Sequence, residues 1–341
     1  MDNIKRVSLK DIANMVGVSP STVSFVLNGK AKKMRISEAK ASKILEIAHR
    51  EGYQPNQAAV SLRTGKSNLL GLVVETISGN FFASLAKVIE DEAAEFGYRV
   101  VYCSTENNAD KGQELIKMLS QRQVDGYIIT PALGMEKDIR DLVAMRRPVV
   151  LMDSYIPDVN VPYVLVDNYG AVEIGMEHLI AKGYRRIGFI TVDLDLIQLE
   201  KRNAAYYECL KKHAIPADDS LILKLSYRHN AQEAISYISS FIRNTKDLDV
   251  LFFATNYLGL LGLESIQQLN VNLPSDLAMI SFDDHEVFRL FPRGITSIRQ
   301  PVEEIARTAV HLLMEQMGKV NMVNRKTQVE LPASLLERGT T

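Results

Sequence analysis

Apolar and polar positions follow two different rhythms along this chain, and the change falls near residue 68. Beyond it, short runs rich in β-branched and aromatic residues recur: LLGLVVE at 69–75, RVVYC at 99–103, DGYIITP at 125–131 and PVVLMD at 148–153. The pattern returns with RIGFIT at 186–191, a strand near 221–225, VLFFAT at 250–255 and LAMISFDD at 277–284. Between them, apolar residues at helical spacing predict helices around 82–96, 110–122, 136–145, 171–182, 201–213, 231–242 and 257–269. Strands alternating with helices imply right-handed crossovers and parallel sheets covered on both faces. Two such series predict two similar doubly wound α/β subdomains, a coarse internal repeat with a ligand cleft between its halves.

Before residue 68 the period is helical and the segments are short. Ser8-Leu9-Lys10-Asp11 reads as a capping box, followed by Ile12, Ala13 and Val16 on one helical face. Gly17 stops that helix. Ser19 caps the next, with Pro20 at the first helical position, where a missing N–H costs nothing. Asn28-Gly29 is a left-handed stop, and a third helix is expected over 37–52 with Ile44, Leu45, Ile47 and Ala48 as its buried stripe. Two short helices joined by a glycine-containing turn make a helix-turn-helix, whose second helix is the usual reader of the DNA major groove.

Charge sharpens this picture. The whole chain of 341 residues has a formal net charge of -1, yet residues 1–66 carry twelve Lys/Arg against five acids, about +7. A basic module on an acidic body suits a polyanion binder, although charge alone fits a solvated face equally well. No run of eighteen apolar residues occurs and MDNIKRVSLK has no apolar signal core, so the chain is expected to be cytoplasmic and to meet no membrane. Cys103 and Cys209 fit no metal spacing and suggest no disulfide framework. The six histidines form no H-E-x-x-H pair, no G-x-S-x-G elbow is present, and no cofactor fingerprint occurs. A regulator and not an enzyme is therefore expected, with no cofactor and no metal. Arg63-Thr64-Gly65-Lys66-Ser67 ends like a phosphate-binding loop, but Val60 stands where that motif needs glycine.

The segments SLKDIANMVGVSPSTVSFVLNG and ISEAKASKILEIAHREGYQPNQAAVSLRTGKS resemble the DNA-binding and hinge region of the lactose repressor (LacI/GalR) family. That resemblance implies that Ser19, Pro20, Ser21, Ser24, Phe25 and Asn28 face DNA, with Ser8 near the backbone. It also implies a hinge helix from Asn56 that orders on DNA and wedges Leu62 into the minor groove. Phe25 departs from the family, which usually places there an arginine that bonds guanine. An aromatic ring can press on a thymine methyl instead, or it can pack inside; helical spacing fits both. The loop at 30–35 is longer than in the lactose repressor, and Lys30, Lys32 and Lys33 in it read as a phosphate clamp or as solvated decoration.

The sensor half resembles the same family more loosely, through LGLVVETISGNFFASLAKVIEDEAAEFGYRV, VDGYIITP, HLIAKGYRRIGFI and MISFDDHEVFRLFPRGITSIRQP. The resemblance implies a periplasmic-binding-protein-type fold in which the chain crosses three times between subdomains. The expected division is 1–55 for DNA binding, 56–67 for the hinge and linker, and 68–341 for effector binding and dimerisation. Within the last, the N-subdomain would hold 68–165 and 297–324, and the C-subdomain 166–296 and 325–338. Carried over one at a time, the effector-facing positions are Phe81, Phe82, Asp153, Arg202, Tyr227, Asn256 and Asp283. Core packing for the two phenylalanines, and ion pairing for Asp153, Arg202 and Asp283, remain open as alternatives. Tyr257, Asn80 and Ala205 stand where relatives usually have Asp, Pro and Gly. The function implied is a sequence-specific transcriptional regulator, a repressor by resemblance. A homodimer would read a near-palindromic double-stranded operator, its affinity set by a small effector such as a sugar.

Overall fold

The computed structural model describes residues 7–54, 61, 65–320 and 326–341. The chain forms two compact units, residues 1–67 and 68–341. In the first, α1 (Leu9–Val16) is capped by Ser8: the Asp11 amide donates to Ser8 Oγ at 3.2 Å, and the Ser8 amide donates to Asp11 Oδ2 at 2.8 Å. Gly17 closes α1 with a φ of 72°, a left-handed conformation that costs glycine nothing. Ser19 caps α2 (Pro20–Leu27), and α3 (Glu38–Arg50) completes the module. Ile12, Ala13, Val23, Val26, Ile44 and Ile47 form its core. Leu45, expected in that core, is 50% exposed instead. Ile44, Ile47 and Ala48 already form the i, i+3, i+4 stripe, and one further residue along turns a side chain about 100° away from it.

The second unit holds two six-stranded sheets. Its elements run β1 (Leu69–Val74), α4 (Asn80–Glu95), β2 (Arg99–Ser104), α5 (Ala109–Gln121), β3 (Gly126–Ile129), α6 (Glu136–Ala144), β4 (Val149–Met152) and β5 (Tyr163–Val166). The repeat follows as α7 (Asn168–Ala181), β6 (Ile187–Val192), α8 (Ile197–Lys212), β7 (Ile222–Leu225), α9 (Ala231–Asn244), β8 (Val250–Phe253), α10 (Asn256–Gln268) and β9 (Ala278–Phe282). The short α11 (Glu286–Leu290), then β10 (Thr296–Arg299), α12 (Val302–Gln316), β11 (Gln328–Leu331) and β12 (Ser334–Leu336) finish the chain.

Strand order is β11-β5-β4-β3-β1-β2 in one sheet and β12-β10-β9-β8-β6-β7 in the other. Apart from β12, which runs antiparallel to β10, all pairings are parallel. Strands β3, β4, β6, β8 and β9 are buried along their whole length, as parallel strands covered by helices on both faces must be. The helices approach closely: a Cβ on Gly262 of α10 would fall 2.0 Å from the Phe253 ring, so only glycine fits there.

The first chain crossing follows β5 at residue 166, within a residue of the expected place, and the two later crossings differ from the expected ones. β10 stays in the second sheet and β11 belongs to the first, so the later crossings follow residues 299 and 331, not 296 and 324. Helix α12 returns to pack on α4 and the first sheet. The later boundaries erred because β10, β11 and β12 mix polar and charged residues with few apolar ones, so no continuous apolar run marks them.

Candidate functional site

In each sheet the chain reverses its direction of winding beside the first strand of that half, since β2 and β3 flank β1 just as β7 and β8 flank β6. Loops at the carboxyl ends of strands on either side of such a point part to leave a crevice. Within residues 68–341 these loops line a cavity of about 520 Å³. All seven residues carried over from the resemblance, Phe81, Phe82, Asp153, Arg202, Tyr227, Asn256 and Asp283, face it.

Their positions follow from the fold. Asp153 follows β4, Asp283 follows β9, Tyr227 lies just past β7, and Asn256 opens α10 directly after β8. Phe81 and Phe82 sit in the first turn of α4, their rings edge to face at 5.1 Å. Phe82 is also core, while Phe81 is only partly buried against it.

Arg202 on α8 is buried at the centre of the site. Its Nε donates to Asn168 Oδ1 at 2.8 Å, its Nη1 donates to the Ala254 carbonyl at 2.6 Å, and the guanidinium lies 3.5 Å from the Phe282 ring centroid. Burial pulls its pKa down from the ordinary arginine value, while Asp283, Asp153 and Glu75 oppose that shift. Burial likewise pushes Asp153 up to about 6, with Arg202 lowering it and Asp283 adding to the rise. Asp283 is raised by burial against the pull of Arg202 and of Gln300, whose Nε2 donates to Asp283 Oδ1 at 2.6 Å.

Sequence reasoning missed several lining residues. Glu75 follows β1, and burial, with Asp153 beside it, pushes its carboxyl up to about 7; Tyr227 and Asn107 pull it partly back. Glu106, Asn107, Gln198, His229, Thr255, Tyr257, His285 and Gln300 are among the other polar lining residues. Gln198 Oε1, Thr255 Oγ1 and Gln300 Oε1 are buried without a hydrogen-bond partner among the described residues. Buried polar atoms are seldom left so, because an unmet group costs about 1–3 kcal/mol. Tyr227 and Tyr257 meet edge to face at 6.5 Å, and proximity to Glu75 adds to burial in raising both phenols. Carboxylates, amides and one guanidinium beside aromatic faces can orient a small polar molecule.

Outside the cleft, Glu173, Glu177 and Cys209 bring ligating atoms within 4.8 Å of one another. Glu177 there already accepts bonds from Lys212 at 2.8 Å and pairs with His213 at 2.8 Å.

In the first unit, Ser8, Ser19, Pro20, Ser21 and Asn28 are exposed, and Ser24 and Phe25 are half-buried. Phe25 is not among the residues packed against the module's core, so core packing does not account for it. Ser19 Oγ accepts from the Thr22 amide at 3.2 Å, and Asn28 Nδ2 donates to the Ser24 carbonyl at 2.6 Å, so α2 is fastened at both ends. Lys30, Lys32 and Lys33 are exposed on the loop after α2, beside an Arg35 with a φ of 55°. Asn56 and Leu62 lie outside the described residues. No described helix is long and apolar enough to cross a membrane.

A family model for bacterial regulatory proteins of the lacI family matches residues 8–56, and one for a periplasmic binding protein-like domain matches residues 176–341. The chain is 29% identical over 336 residues to catabolite control protein A of Priestia megaterium, covering 98% of this chain and 99% of that relative. It is 26% identical over 334 residues to the ribose operon repressor of Halalkalibacterium halodurans, covering 98% and 97%. Among solved structures, the lac repressor dimer bound to operator and the anti-inducer ONPF superposes with a TM-score of 0.82 at 22% identity, over 98% of this chain and 99% of that one. A transcriptional regulator CelR–cellobiose complex gives 0.70 at 23% identity, over 98% and 100%. The helix-turn-helix, the paired parallel sheets and these full-length relatives agree: the chain is a DNA-binding transcriptional regulator of the LacI family, and not an enzyme.

Proposed function

We propose that this regulator acts in the cytoplasm as a homodimeric repressor on a near-palindromic operator, and that a small polyhydroxylated effector in the cleft sets its affinity for that DNA. The observation that carries the reading is the convergence of buried carboxyls, amides and a guanidinium on one cavity, in a chain that also carries a basic helix-turn-helix. Relatives named for ribose and cellobiose favour a carbohydrate or a sugar derivative.

In this reading, residues 1–55 read DNA and 56–67 join them to the sensor. Ser19, Pro20, Ser21, Ser24, Phe25 and Asn28 address the major groove, Ser8 with Lys30, Lys32 and Lys33 holds phosphates, and Asn56 and Leu62 serve the hinge. Phe81, Phe82, Asp153, Arg202, Tyr227, Asn256 and Asp283 hold the effector. Binding between the two halves favours one angle between them, and that preference is the coupling free energy that reaches the operator.

Selection from random duplex DNA, followed by titration of the winning site at several salt concentrations, tests the reading. A palindromic motif bound more weakly as salt rises supports it. Absence of any motif, with and without sugars of several classes, would remove it.

A further inference from the structure

The cleft is unevenly supplied with charge and with hydrogen-bonding capacity. Glu75, Glu106, Asp153 and Asp283 line it, against a single guanidinium, Arg202. Arg202 spends two of its five N–H donors on Asn168 and Ala254 and lays one face against Phe282, and its charge is shared with Asp153 and Asp283. Asp153 and Glu106 act on Glu75 as like charges, Tyr227 and Asn107 act on it as hydrogen-bonding groups, and the one cation that feels its charge is Arg202.

Two unmet amide oxygens point the same way, although Asn107 Nδ2 in the same lining is a buried donor without an acceptor among the described residues. Gln300 commits its Nε2 to Asp283, which leaves Oε1 as a buried acceptor with no donor among the described residues. Gln198 Oε1 is another. A carboxylate accepts only, and an amide oxygen accepts only, so the side of the lining that holds Glu75, Gln198 and Gln300 calls for donors from whatever it binds. Four aromatic rings border the same space: Phe81 with Phe82, and Tyr227 with Tyr257.

We propose that the effector carries a protonated amino group, as an amine-bearing polyol of the aminosugar class, its ammonium held between the Glu75 carboxylate and the rings of Tyr227 and Tyr257. The inference rests on the cleft being the effector site. An ammonium supplies three donors and no acceptor, its charge favours the ionised form of Glu75 that burial and Asp153 disfavour, and aromatic faces attract it further. An uncharged sugar brings acceptors along with its donors and offers no charge to balance an ionised Glu75, whose raised pKa then persists. A sugar acid or phosphate meets repulsion from four acidic side chains.

Calorimetry on the full-length protein at pH near neutrality tests this with matched trios: glucosamine, glucose and gluconate, then galactosamine, galactose and galactonate. We expect the amine of at least one trio to bind about tenfold or more tighter than its uncharged and acidic counterparts, a margin of about 1.4 kcal/mol. Glu75→Gln should remove that margin and leave the uncharged sugar's affinity within about twofold. Glu75→Asp, which keeps the carboxyl, serves as a second variant and should keep the amine preference. An acid or uncharged member binding best in both trios, or a preference for the amine that survives Glu75→Gln, would overturn the amine assignment while leaving the cleft as a sensor. Binding of no member of either trio would overturn the assignment and the sensor reading together.

Discussion

Asp153 and Asp283 are the same residue twice, at equivalent points of the two halves. Each directly follows the third strand of its sheet, β4 in β11-β5-β4 and β9 in β12-β10-β9, and each has left-handed backbone, with φ of 65° and 63°. Aspartate and asparagine tolerate that conformation better than other residues with a Cβ, because their short polar side chains bond locally. We therefore expect Asp283→Asn to fold normally and Asp283→Ala to lose at least about 1 kcal/mol, read as a lower urea midpoint. Equal loss for both variants would show that the charge and not the backbone governs this position.

The raised pKa of Glu75 sets the sign of a pH effect. A carboxyl that titrates at about 7 when folded and near 4.5 when unfolded holds its proton more tightly in the native state. Its contribution is fully present below 4.5 and is lost as pH rises through 7. Glu75→Gln should thus stabilise the protein at pH near 8, by on the order of 2 kcal/mol, and change little near pH 5. Denaturation midpoints at the two pH values check this, and a variant less stable at the higher pH would contradict it.

Arg202 neutralises the buried ends of β4 and β9 together. Arg202→Ala leaves Asp153 and Asp283 without their guanidinium and should cost about 3–5 kcal/mol, with loss of the effector response. Arg202→Lys should recover only part of this, since a point charge cannot bond Asn168 and Ala254 while lying flat on Phe282. Thermal melting and effector titration of both variants measure it.

Phe25 bears on operator choice. With the ring half-exposed on α2 and outside the module's core, Phe25→Ala should leave stability nearly unchanged. It should relax preference at one base pair of each half-site by about 1–3 kcal/mol. Repeating the DNA selection with the variant shows which position changes; an unaltered motif would leave Phe25 no part in readout.

Lysines that hold phosphates act evenly on all sequences. Lys32→Ala together with Lys33→Ala should weaken every duplex alike and lower the slope of log affinity against log salt by about one per lysine. An unchanged slope would mark the loop as solvated.

How much of this was legible in the sequence depended on segment length and on position relative to strand ends. The apolar runs located β1 and β6 to within a residue, because six-residue parallel strands leave a continuous signature. β5 and β10 to β12 were not located, and the crossing boundaries erred with them. In the cleft, Asp153 and Asp283 come from the family resemblance, and both also obey the rule that ligands meet the carboxyl ends of strands. The same rule applies to Glu75, which closes the run LLGLVVE and was passed over. Gln198 carries no such mark, since it lies in the first turn of α8 and its direction follows from how that helix packs. Gln300 depends on the second crossing, which only the assembled sheets reveal.

That crossing has a mechanical side. Gln300 stands between β10 in one half and α12 in the other, followed by Pro301, and at the same time it faces the cavity. It therefore sits on a segment that joins the halves while its side chain borders the binding space. A molecule that bonded its unmet Oε1 would touch that connection directly, with no intervening side chain between ligand and link.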